Sequence, residues 1–199
     1  MEGAGRRDSW PVDLRGVVES LVTTQGPGGD WNVAALGVHA GDQVTARTWG
    51  KTRTRRNFER EAAGYVQFTR DPVLFVESAL GVTERDEPVL SEADAWAEVA
   101  AEAVDDGTSG NTEWVEWALD PTASGVERRT IPVTNRGYYA VIEATVAASR
   151  LGVDAYDRTE LLDRLAYFAD VATRCGGDRE REAIEVAEEL AEDWPDMEL

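Results

Sequence analysis

At 199 residues and 42% hydrophobic content, the chain can bury one sizeable core, or one core with a smaller appended domain. Its 39 acidic against 20 basic residues give a net charge of −19, so most of its surface repels nucleic acid and anionic membranes, and neither is expected as a partner. One cysteine and one histidine leave no internal disulfide and no ligand cluster for zinc or iron, and no stretch reaches the roughly 20 apolar residues of a membrane span.

In chain order, residues 16–24 are rich in β-branched types and precede a dense turn cluster at 25–30, which predicts a strand and a loop. A second strand is expected at 31–38, a tight turn at 39–42 and a third strand at 43–48, which together make an antiparallel meander. A short helix over 54–62, a strand over 64–68 and a helical turn over 71–80, with Pro72 near its first position, come next. Residues 91–104 read as a helix, with Ser91 as N-cap, Asp94 in capping-box position and Trp96, Val99, Ala100 and Ala103 on one face, ending at Asp105-Asp106-Gly107. Alternation over 113–119, a turn over 120–125 and a returning strand over 126–133 predict a closing hairpin. Three helices follow. The first, 136–150, carries Tyr138, Ile142, Val146 and Ser149 on its stripe, and the second, 159–175, carries Leu161, Leu162, Leu165, Phe168 and Ala172. The third runs from Asp178 to about Asp193 with Ile184, Ala187 and Leu190, and its glutamates from Glu180 to Glu192 form a solvated face. This reading divides the chain into a strand-rich domain, 10–134, and a helical domain, 135–199.

Charge singles out one segment. Arg47, Lys51, Arg53, Arg55, Arg56 and Arg60 are six of the twenty basic residues, and Lys51 is the only lysine. Forked guanidinium donors fit phosphate oxygens, the hydroxyls of Thr52 and Thr54 add donors, and a helix starting near Thr54 would aim its N–H groups at the same anion. The competing reading is that these arginines pair with the surface carboxylates an acidic protein offers everywhere. Extreme acidity with almost no lysine points to a salt-rich cytosol. The first thirteen residues mix charges with Pro11 and lack the apolar segment of an export signal, so a cytoplasmic location is expected. His39, in a turn, has no triad partner, and Cys175, at a helix end, reads as a small packing residue. No catalytic side chain is identifiable.

The runs Gly-Val-Val-Glu-Ser-Leu-Val-Thr-Thr (16–24), Trp-Asn-Val-Ala-Ala-Leu-Gly-Val (31–38) and Thr-Arg-Thr-Arg-Arg-Asn-Phe (52–58) resemble the flavin mononucleotide (FMN) binding split-barrel superfamily. Within it, the chain most resembles a largely archaeal family labelled domain of unknown function 447. The likeness continues through Asp71-Pro-Val-Leu-Phe, the segment from Asn135 to Ala144 and the helix containing Gly177-Asp-Arg-Glu-Arg. The resemblance implies an α+β fold, an antiparallel split β-barrel with a C-terminal three-helix segment, and a homodimer with FMN near the subunit interface. It also implies ring contacts from Asn32, Val33, Ala34 and Ala35, largely through the backbone, although the family often has proline where Ala35 stands.

Related oxidases carry a Ser-Arg-Lys phosphate motif followed by Asn. Thr52, Arg53 and Asn57 match it, Thr54 replaces the lysine, and Arg55, Arg56 or Lys51 supplies the missing charge. Trp31 and Trp49 flank the two segments, as ring-stacking or as core and interface residues. The function implied is an FMN-dependent oxidoreductase of unknown substrate. The alternatives are a non-catalytic flavin carrier or a deazaflavin-binding barrel.

Overall fold

The structure, a computed structural model, describes residues 9–153 and 156–191. Its compact units are two: one of residues up to Arg70 together with Thr83–Thr130, the other of Asp71–Val82 together with the chain from Ile131 onward. The helical unit is thus discontinuous in sequence, because it takes in a segment from inside the expected range 10–134. Among the described residues no helix is long and apolar enough to cross a membrane.

The first unit is an antiparallel barrel of β1 (Val17–Gln25), β2 (Trp31–His39), β3 (Thr45–Trp49), β4 (Ala63–Phe68), β6 (Ala95–Ser109) and β7 (Thr112–Val126). They follow one another in space as β1-β4-β6-β7-β3-β2, and β2 pairs back onto β1 over its whole length, from Val17 opposite His39 to Gln25 opposite Trp31. Closure removes the exposed edges that would otherwise template aggregation. A three-residue strand, β5 (Thr83–Arg85), adds to the outer edge of β2, and α1 (Arg53–Glu61) follows β3. Val22, Leu36, Val38, Val66, Val99, Val115 and Leu119 fill the interior, and Ala46, Ala97 and Ala101 leave room for two large rings. These belong to Phe58 of α1 and Trp117 of β7, whose ring centroids lie 5.2 Å apart. On another face, Gln67 is fully buried and fully bonded. Its Nε2 donates to Thr23 Oγ1 at 3.0 Å and to Pro88 O at 2.9 Å, and its Oε1 accepts from Leu90 N at 2.7 Å, which straps the 88–90 segment to β1 and β4.

Two sequence expectations fail here. Residues 91–104 form no helix: from 95 onward they run as β6, with Ala95, Ala97, Val99 and Ala101 inward and Trp96, Glu98, Ala100 and Glu102 outward. Alanine favours helix, but this alternation of period two fits a barrel wall, and burial outweighs propensity. The Asp120–Gly125 turn with a returning strand at 126–133 is also absent. Residues 112–126 are one strand, and 128–135 carry no regular structure before the next helix. Pro121 sits at a register shift, so that Val99 pairs with it, Glu98 pairs with Ala123, and Thr122 is the extra residue of a bulge. A proline that cannot donate to the ladder is tolerated at such a point, and in sequence it mimics a turn.

The helical unit comprises α2 (Pro72–Leu80), α3 (Arg136–Ala148), α4 (Arg158–Cys175) and α5 (Asp178–Leu190). Of the expected helix to Asp193, residues 192 and 193 lie outside the described residues, as does Glu192 of the acidic face; Glu182, Glu185, Glu188 and Glu189 are exposed. In α4 the expected stripe holds, with Leu161, Leu165 and Ala172 buried and Leu162 and Phe168 packed beside them. In α5 Ile184 and Ala187 are buried but Leu190 is 38% exposed. In α3 the expected stripe is the wrong face. Tyr138, Ile142 and Val146 are only half-buried and Ser149 is exposed, whereas Gly137, Ala140, Val141, Ala144, Thr145, Ala147 and Ala148 are buried.

Close helix approach selects that face of small residues. A Cβ on Gly137 would stand 2.3 Å from the Cα of Gly176. The caps interlock across the unit. Asp71 accepts from Val73 N and Leu74 N at the start of α2 and takes two bonds from Arg179 Nη2 of α5, at 2.7 and 2.6 Å. These bonds hold the Arg179 guanidinium pKa above its usual value. Asn135 caps α3 through Gly137 N and donates to Glu180 Oε1 at 3.0 Å, while Glu180 Oε2 accepts from Gly177 N at 2.7 Å. Gly137→Ala is therefore expected to destabilise the helical unit by about 1–3 kcal/mol through overpacking. An unchanged denaturation midpoint in molar salt would show that the crossing at Gly176 is loose.

Candidate functional site

The outer edge of β2 is an interrupted ladder in the barrel wall. β1 occupies the inner edge throughout, whereas on the outer edge β5 pairs only with Trp31, Asn32 and Val33, and β3 pairs only with Val38 and His39. Between them Ala34, Ala35, Leu36 and Gly37 have no strand partner on that side. Past Ala46, β3 leaves β2 and runs on against β7 alone, from Arg47 opposite Glu116 to Trp49 opposite Trp114. A cleft between β2 and β3 results, floored by backbone polar groups that need a partner.

The chain leaves β3 through Gly50, which adopts φ 67° and donates its N–H to Glu113 O at 2.7 Å, and then starts α1. Thr52 is the N-cap, its Oγ1 accepting from Arg55 N at 3.2 Å; the N–H groups of Arg53 and Thr54 in the first turn have no acceptor within the helix. The inward face of α1 is Thr54, Asn57 and Phe58. Asn32 Nδ2 donates to Thr54 Oγ1 at 3.4 Å, so the two segments singled out in the sequence meet directly.

The predicted residues separate into distinct roles. Asn57 does not face the cleft: its Nδ2 donates to Thr24 Oγ1 at 3.0 Å and Thr24 O at 3.3 Å, and the side chain is buried. Arg55 is engaged by Glu59 at 2.9 Å, with Gly50 O and Glu113 each at 3.4 Å, and its side chain is 17% exposed. Arg53 Nη1 lies 2.5 Å from Glu84 Oε1, and both side chains are about half exposed. Lys51, Thr52 and Arg56 are exposed, and among the described residues neither Lys51 nor Arg56 has an acidic partner. Val33 is buried and Ala34 and Ala35 are half-buried, which leaves their backbone as the available surface.

Sequence reasoning missed Glu84, Glu113 and Thr24. Each reaches α1 from a distant part of the chain, and only the Arg55–Glu59 pair, one helical turn apart, had a local signal. Trp49 is 46% exposed, not core, and Arg47 lies beside it, its guanidinium carbon 4.0 Å from the ring centroid of Trp114. Trp31 is half-buried edge-on to Tyr65 at 5.5 Å. Gly37 is in register with Glu19, so it marks no bulge, and a Cβ there would meet only ordinary contacts within the protein. His39 ends β2 in an exposed position, and Cys175 is exposed, not the packing residue expected.

The start of α1 thus brings together two cations without an acidic partner among the described residues and backbone N–H groups without a helical acceptor, a combination whose chemistry suits an anion. Asn57→Ala should loosen α1 from β1 and cost about 1–3 kcal/mol of stability, read by denaturation and by faster amide exchange in α1. Unchanged exchange there would mean that Thr24 and Asn57 hold nothing in place.

Comparison with known proteins gives matches along most of the chain. Residues 18–128 match the model described as protein of unknown function (DUF447) N-terminal domain, and residues 135–189 match its companion, protein of unknown function (DUF447). Among solved structures, an FMN-bound protein of Methanosarcina mazei assigned to DUF447 is 26% identical with a TM-score of 0.75, covering 89% of this chain and 96% of that one. More distant are the styrene monooxygenase flavin reductase of Pseudomonas putida S12 (14% identity, TM-score 0.39, 56% and 79% covered) and an FMN-binding protein of Thermus thermophilus with bound p-hydroxybenzaldehyde (15%, 0.41, 64% and 82%).

Proposed function

The chain belongs to the DUF447 family and has the FMN-binding split-barrel fold with C-terminal helices, and from that premise we propose that it is an FMN-binding flavoprotein that works as an oxidoreductase. The observation that carries the reading is the junction of an unpaired strand edge, Ala34–Gly37, with the cationic start of α1. Lys51 and Arg56, with the N–H groups of Arg53 and Thr54, would hold the phosphate. The roughly two negative charges of a phosphate monoester match the two cations left without an acidic partner. The backbone of Ala34–Gly37 would meet the polar edge of the ring system, while Asn32 fixes β2 against α1 through Thr54.

FMN, when bound, supplies electron and hydride chemistry, and the protein's part is position, burial and electrostatics. The reading includes a homodimer, supported by the half-exposed Trp49 next to the cradle, and a cytoplasmic location in a salt-rich archaeal cell, supported by the charge of −19 and the single lysine. Sedimentation of the native protein tests the dimer.

Mass analysis of the small molecule that copurifies with the protein is expected to return FMN, and recovery of a deazaflavin would replace the cofactor in this reading. Lys51→Ala combined with Arg56→Ala should weaken FMN binding by about 1.5–3 kcal/mol and leave riboflavin binding nearly unchanged, as read by fluorescence titration in molar salt. Equal loss for both ligands would remove these residues from phosphate recognition. Bleaching of the FMN-loaded protein by NADH or NADPH without oxygen is the outcome expected of an oxidoreductase; persistent colour with both donors counts against turnover.

A further inference from the structure

Glu84 sits on β5 opposite Asn32 of β2, with its Oε1 2.5 Å from Nη1 of Arg53, the first residue of α1. We propose that Glu84 is a specificity-determining residue of the flavin cleft, an internal carboxylate that competes with the incoming phosphate for Arg53. The inference rests on the FMN reading above and deepens it.

A carboxylate and a phosphate offer a guanidinium the same kind of acceptor, so both address the same donors. The two engaged arginines of the segment differ in how firmly they are held. Arg55 is 17% exposed and bound by two carboxylates and a carbonyl, whereas Arg53 and Glu84 are 47% and 54% exposed and form a single contact. An exposed pair of that kind is weak and exchangeable, so Arg53 can be handed from Glu84 to a phosphate while Arg55 stays structural. Glu84 is held in place by the β5 ladder, which sets Thr83 opposite Val33 and Arg85 opposite Trp31. With Glu84 present, the cradle offers a full charge match to one phosphoryl group. Neutralising it releases a third cation, which strengthens the hold on the phosphoryl group.

The test measures affinities of the full-length protein for FMN, FAD and riboflavin at about 0.1 M and about 1 M salt, where the screening length falls from about 10 Å to about 3 Å. Glu84→Gln is expected to bind FMN about two- to fivefold more tightly than the wild type at the lower salt. The gain should be no larger for FAD, whose diphosphate carries about the same total charge as the phosphomonoester of FMN, absent for riboflavin, and diminished at the higher salt. Glu84→Ala should behave alike, and adding Glu84→Gln to Arg53→Ala should bring no gain. If the wild type binds riboflavin as tightly as FMN, the phosphate reading fails and this proposal falls with it. If the wild type prefers FMN but Glu84→Gln binds FMN no more tightly, or gains equally for riboflavin, the proposal about Glu84 alone is overturned.

Discussion

Backbone hydrogen bonding dictates the shape of this molecule's working part. A closed barrel satisfies the polar groups of every wall strand through its neighbours, and an unsatisfied buried group costs as much as a lost hydrogen bond. Here the wall carries a gap on the outer edge of β2, where pairing with β5 ends at Val33 and pairing with β3 begins at Val38. The residues between carry small side chains or point into the core, so main chain is what that stretch presents. The same divergence of β3 that opens this edge also delivers the turn at Gly50 and the start of α1, so the strip of backbone and the cationic helix end arise from one topological event.

Electrostatics divides the cationic segment by depth. In a chain of net −19, carboxylates surround every arginine, and a row of guanidiniums stays available only where geometry keeps some of them away from acids. Arg55, turned toward the body, is bound by Glu59 and Glu113; Arg53 is loosely held by Glu84; Lys51 and Arg56 point outward without an acidic partner among the described residues. Ion pairing and the charge proposed for the phosphate thus fall on different residues of one short segment.

Much of this was legible in the sequence, for physical reasons that differ by element. Strands β1 and β2 have local signatures, Pro72 marks the start of α2, and the cationic segment stands out against an acidic background. That strand 31–38 and the cationic segment share a site came only through resemblance, and the bond of Asn32 to Thr54 had no signal, since no local rule joins residues 22 positions apart. β6 was misread because its alternating alanines are also good helix formers, and β7 because Pro121, at a bulge, mimics a turn. The buried face of α3 was hidden because helix crossing favours small side chains over the larger apolar ones that periodicity counts. Several motifs that carry the family likeness have an architectural part: Asp71, Asn135, Arg179 and Glu180 lock the helical unit.

The insertion of α2 into the barrel's stretch of sequence also bears on how the polypeptide is made. As the chain emerges from the ribosome, Val73 and Val76, buried in the finished protein, appear long before the α3, α4 and α5 helices that share their core. Until α3 is made this apolar helix has no partner in its unit, and its packing is complete only once α5 ends at Leu190, which makes it a natural station for a chaperone. For the same reason, cutting the gene at residue 130 would strand α2 with the wrong half, so the two units cannot be separated by a single cut.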